Sequence, residues 1–116
     1  SAECAQMATV AATELMFIAC GPEHAVQIMN ASTGALVATL GVPGSPGLPT
    51  DGPTPRLTDP VSVTVDEANS RLWVACRTGN VGADVTDAGY VAEFDITTPA
   101  TPVFVAFVLQ IKLINC

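Results

Sequence analysis

Phe17-Ile18-Ala19-Cys20 and Trp73-Val74-Ala75-Cys76 are copies of one pattern: bulky ring, β-branched residue, alanine, cysteine. Each follows a short apolar run and precedes further alternating segments, so the chain reads as two related β units. A repeat unit of this kind cannot bury its apolar face alone and needs a neighbour stacked against it. That single constraint excludes most folds and makes assembly the leading functional question.

Alternation with a period of two carries the strand assignment. The first unit, residues 5–40, is expected to hold strands near Gln6–Val10, Leu15–Cys20, Ala25–Met29 and Ala35–Leu40. Ala8 to Phe17 has good helix formers but no cap, and is read as two strands around a turn at Ala12-Thr13. Asn30-Ala31-Ser32-Thr33-Gly34 is a polar turn whose glycine can take the left-handed conformation. Residues 41–59 contain five prolines and four glycines, which weaken or block a ladder, and form a loop. This loop is an ordered surface excursion, an arm to a neighbour, or a floppy connector.

The second unit, residues 60–107, repeats the order. Val61, Val63 and Val65 alternate with Ser62 and Thr64, and Asp66 to Ser70 form a turn. Leu72, Val74 and Cys76 share one face of the next strand, with Trp73 and Ala75 on the other. Arg77 to Gly89 is a polar loop. Tyr90, Ala92, Phe94 and Ile96 line one side of a third strand. The last strand is expected from Val103 to about Ile114, with Val103, Val105, Phe107, Leu109, Ile111 and Leu113 on one face. Such a ribbon, roughly 40 Å long, exceeds what one small sheet pairs, and an uncovered apolar strand recruits other chains. Residues 108–116 are therefore read as an extension that pairs between subunits. Val105, Phe107, Leu109, Ile111 and Leu113 are the expected contact.

Charge narrows the function classes. The 116 residues carry a net charge of −7, with Arg56, Arg71, Arg77 and Lys112 as the cationic side chains. So acidic a chain does not neutralise a row of phosphates, which argues against nucleic acid. No run reaches the roughly 18 apolar residues of a membrane-spanning helix. Charged residues are 13% against 49% apolar, too few to cover a monomer, and surplus apolar surface marks an interface. The start at Ser1, without Met or a basic leader, reads as a processed secreted chain. The even cysteine count, Cys4, Cys20, Cys76 and Cys116, reads as a disulfide framework in an oxidising compartment. The pairing is open, within or between chains, and Cys20 and Cys76 read equally as buried thiols.

Catalytic and metal signals are weak. His24, the single histidine, sits at a turn beside Glu23; a solvated side chain is the simpler reading than a ligand or base. No nucleophile elbow or phosphate-binding glycine loop exists. Asp84 with Asp87, and Asp66, Glu67 and Asn69, supply oxygens but no calcium-loop pattern. No enzyme, metal or cofactor is expected. Asn30-Ala31-Ser32 is an N-glycosylation sequon on a turn. Trp73 and Tyr90 are read as a candidate sugar platform or, more simply, Trp73 is read as packing between units.

Residues 59–107 resemble an NHL-type (YncE-like) β-propeller repeat. The resemblance lies in Asp59-Pro60-Val61-Ser62-Val63-Thr64-Val65-Asp66, Arg71-Leu72-Trp73-Val74-Ala75 and Val91-Ala92-Glu93-Phe94-Asp95. The first unit, with Val26-Gln27-Ile28-Met29-Asn30 and Thr33-Gly34, looks like a degenerate copy. The resemblance implies an all-β fold of two four-stranded antiparallel blades. It departs where the family places an aspartate and this chain has Cys20 and Cys76. Two blades do not close a ring that normally needs four to eight, so several chains would complete a ring or stack into a fibre. The expected function is a self-assembling extracellular structural subunit of a filament or appendage, joined by strand addition. The second reading is a ring-shaped, lectin-like module that binds glycans.

Overall fold

The computed structural model describes residues 6–10, 13–50, 52–77 and 89–111, with backbone alone for 6–8 and 107–111. It contains two four-stranded antiparallel sheets. The first has the order β1 (Gln6–Val10), β2 (Leu15–Cys20), β3 (Ala25–Asn30), β4 (Leu36–Gly41). The second has β5 (Pro60–Asp66), β6 (Arg71–Cys76), β7 (Gly89–Asp95), β8 (Val103–Ile111). The chain is all-β, and each sheet is a meander of consecutive strands.

The repeat is visible in the register. β2 faces β3 through Phe17↔Ile28, Ala19↔Val26 and Cys20↔Ala25; β6 faces β7 through Trp73↔Glu93, Ala75↔Val91 and Cys76↔Tyr90. The units also share an irregularity. In the first, Ile28 faces Ala38 and Met29 faces Leu36, leaving Val37 as the extra residue of a bulge. In the second, Glu93 faces Ala106 and Phe94 faces Phe104, leaving Val105 extra at the equivalent place. Val37 and Val105 are 45% and 46% exposed.

One core joins the two sheets. Leu15, Phe17, Ala19, Val26 and Ile28 of the first pack with Val63, Leu72, Val74, Cys76, Tyr90, Ala92 and Phe94 of the second. β5 is the strand of the second sheet that lies against β1 and β2. Alternation along β6 and β7 buries Leu72, Val74 and Cys76 and Tyr90, Ala92 and Phe94 completely. Phe94 meets the ring of Phe104 edge-on, with centroids 5.8 Å apart. That is the favoured geometry for two ring quadrupoles.

The loop before β5 folds back as an ordered excursion. Leu57 and Thr58 are buried, at 0% and 3% exposure. The Thr58 hydroxyl donates to the Gly47 carbonyl at 2.8 Å, and the Tyr90 hydroxyl donates to the same oxygen at 3.3 Å. The Asn30 turn forms as the sequence implies: Asn30 Oδ1 accepts from the backbone N–H of Ser32 and Thr33, and Gly34 has φ +76.

Gly41 closes β4 at φ +96, where an added Cβ would lie 2.9 Å from the His24 carbonyl oxygen and 3.3 Å from the Ala25 Cα. Both obstacles are backbone, so neither yields easily. Gly41→Ala is expected to cost roughly 1–3 kcal/mol, read as a lowered urea midpoint with an unchanged slope. An unchanged midpoint would show that the β3–β4 junction relaxes freely.

The long last strand is corrected by the register. β8 pairs with β7 along its described length, to Gly89↔Ile111, and two register shifts absorb the length difference. Simple alternation therefore breaks. Val103 and Ala106 stand opposite Asp95 and Glu93, whereas Phe104 and Phe107 stand opposite Phe94 and Ala92. The expected single apolar face through Val103, Val105 and Phe107 is interrupted because the bulge at Val105 changes the parity. Leu113, at the end of that expected row, lies outside the described residues.

Candidate assembly surfaces

The outermost strands are the first candidate. β4 and β8 end their sheets, and neither Leu36–Gly41 nor Val103–Ile111 contains a charged residue. Edge strands ordinarily carry lysine, proline or other charge against pairing with another chain. Here they carry Leu36 and Val37 on β4 and Val103 and Val105 on β8, at 58, 45, 62 and 46% exposure. Val105, one of the expected contact residues, is thus on the surface of an edge strand. Phe107, Leu109 and Ile111 continue that strand, described by backbone alone.

The second candidate is the outer face of the second sheet. Trp73 lies there, 39% exposed, beside an ion-paired cluster. Arg71 Nε donates to Glu93 at 2.9 Å and its Nη1 to Asp95 at 3.1 Å. Hydrogen bonds from Thr97, then the charge of Arg71, hold the Asp95 carboxyl below the usual carboxylate range. Sequence reasoning missed this cluster. Its signal was the matched spacing of Arg71 and Trp73 against Glu93 and Asp95 on paired strands.

Trp73 and Tyr90 do not form a platform. Tyr90 faces Cys76 inside the core and is fully buried, while Trp73 faces Glu93 on the opposite side of the sheet. Nor does Trp73 fill the space between the units: Phe17, its repeat counterpart, does. Two stacked sheets meet through opposite faces, so equivalent residues cannot both lie in the shared core.

The cysteines divide. Cys20 is disulfide-bonded, and Cys76 is an unoxidised thiol at 0% exposure. The disulfide expectation is corrected at Cys76, a free thiol whose burial raises its pKa to about 11 against the lowering effect of hydrogen bonds with Tyr90 and Thr58. Cys4 and Cys116 lie outside the described residues.

His24 has a structural role. It adopts φ 58 after a 3₁₀ turn at Gly21–Glu23, and its Nδ1 accepts the Asp59 backbone N–H at 3.0 Å. Arg77 approaches Asp59 at 3.6 Å, and these groups line an open polar cleft of about 500 Å³. The solvated side chain expected of His24 is instead a tie between the first unit and the residue that precedes β5. No group of three or more potential metal ligands occurs among the described residues. Asp66 instead accepts a hydrogen bond from Asn69, and Asp84 and Asp87 lie outside the described residues. No helix there is long and apolar enough to cross a membrane. No family model, curated protein or solved structure matches the chain.

Proposed function

We propose that the chain is a self-assembling structural subunit of an extracellular filament or appendage, joined in part by strand addition at β8. The observation that carries the reading is the pair of uncharged edge strands, β4 and β8, with Leu36, Val37, Val103 and Val105 turned to solvent. An edge of this composition offers main-chain hydrogen bonds and apolar side chains together, which is what strand addition uses. The disulfide at Cys20 supports an oxidising compartment. The resemblance to NHL-type repeats belongs to the same proposal, as does the absence of a catalytic role. The runner-up is a discrete ring that binds glycans, for which exposed Trp73 without Tyr90 is the remaining aromatic.

Truncation after Phe107 is expected to leave soluble, unassembled protein, and Val105→Lys to weaken assembly in the full chain by placing charge on the edge. Light scattering and electron microscopy read both. Assembly of the truncated and the Val105→Lys chains at the native concentration would overturn strand addition. A single discrete mass in place of an open size distribution would favour the ring.

A further inference from the structure

The repeat register allows each outer surface to be compared with the inner surface of its counterpart. With Cys20 set on Cys76, the row Leu72–Phe94–Phe104 of the second sheet corresponds to Met16–Met29–Leu36 of the first. The former row packs into the shared core. The latter crosses the outer face of the first sheet, where Met16 and Met29 are half-buried and Leu36 is exposed. Ile18 there matches buried Val74.

The converse comparison gives the same result. Phe17, Ala19, Val26 and Ala38 face the second sheet from the first; their counterparts Trp73, Ala75, Val91 and Ala106 lie on the outer face of the second. Val10, Leu15 and Ile28 change character, becoming Asp66, Arg71 and Glu93, and the last two satisfy one another at 2.9 Å. Apolar rows of both inner faces therefore recur on the two outer faces, around Trp73 on one and Met16, Met29 and Leu36 on the other, with Gln27 in the place of Ala92.

We infer that these two outer faces dock on one another between copies of this chain, the Trp73 face of one copy against the Met16–Met29–Leu36 face of the next. The contact continues the internal sheet-on-sheet packing, with Trp73 taking the place that Phe17 holds inside the chain. Methionine sulfur against an aromatic ring is favourable, and thioether flexibility adapts to a larger ring. The Arg71–Glu93–Asp95 cluster supplies the polar border that lets the face remain in water before docking. The contact is heterologous: the two surfaces differ, so it propagates head to tail and yields a ring or a filament according to the rotation per step. This inference rests on the self-assembly reading but not on strand addition, which uses the edges of the sheets and leaves these faces uncovered.

Face-blocked variants test it. Trp73→Glu blocks one face and Met29→Glu the other, and both sites are on the surface. Each variant alone is expected to stay monomeric at concentrations where the native chain assembles, with unchanged circular dichroism. Their equimolar mixture is expected to give one-to-one dimers and nothing longer, because the two intact faces meet once and two glutamates end the chain. Trp73 is the single tryptophan, so a blue shift of its emission should accompany native assembly. Assembly of either variant alone, no dimer in the mixture, or native assembly without the emission shift would overturn face docking and leave self-assembly standing. A native chain that stays monomeric at millimolar concentration would overturn both.

Discussion

Phe17→Ala is expected to cost about 3–5 kcal/mol, as befits a large ring removed from a packed core, whereas Trp73→Ala should cost the isolated chain about 1 kcal/mol or less. The two residues occupy the same place in their units, so the contrast isolates the effect of position in the stack. Phe17 is fully buried between the sheets and faces Ile28; Trp73 keeps 39% of its surface exposed and faces Glu93. Truncating Phe17 opens a cavity at the joint between the two sheets. Urea unfolding at a protein concentration low enough to keep the chain monomeric reads both costs. Equal losses would mean that Trp73 is buried within one chain, and the assignment of inner and outer faces would fall. In assembled material, the face-docking inference adds an expectation: the cost of Trp73→Ala should grow with concentration, while that of Phe17→Ala should not.

Much of this fold was legible from period-two alternation and turn residues. All eight strands lie within a residue or two of where the pattern places them, apart from the described end of the last. The inward sets Leu72, Val74, Cys76 and Tyr90, Ala92, Phe94, Ile96 follow from parity alone, and all are buried. Parity failed at the bulges. Val37 and Val105 carry no distinguishing residue type, and an inserted residue in an apolar run looks like any other member of it. The burial of the prolyl loop was hidden for a different reason. Leu57 and Thr58 sit among helix and strand breakers, and only the fold brings Thr58 beneath Tyr90. Reading the repeat position by position, with stacking through opposite faces, would have sent Phe17 inward and Trp73 outward. Reading Phe17 and Trp73 as the same kind of packing residue concealed the outer faces.

Alkaline pH should unfold the chain through the Cys76–Tyr90 pair. Burial, the largest cause, raises the Cys76 thiol from 9.0 to about 11, and burial followed by the neighbouring Cys76 raises the Tyr90 phenol well above its ordinary range. Both groups are neutral when protonated, so burial disfavours their ionised forms. Below pH 9 the thiol is protonated in folded and unfolded chains alike, and its contribution is fully present. Between 9 and 11 the unfolded chain releases the proton while the folded chain retains it, so unfolding is drawn forward and stability falls with rising pH. Across that window the loss from Cys76 is on the order of 2–3 kcal/mol, and Tyr90 adds to it in the same direction at the upper end. Cys76→Val, which keeps an apolar side chain of similar size at this site, should flatten the fall in urea midpoint between pH 8.5 and 10.5. Tyr90→Phe should lower the midpoint at every pH, since the Thr58 backbone N–H, which donates to the Tyr90 hydroxyl at 3.1 Å, would be left buried without that acceptor. Parallel declines in the native and Cys76→Val chains would place the alkaline sensitivity elsewhere.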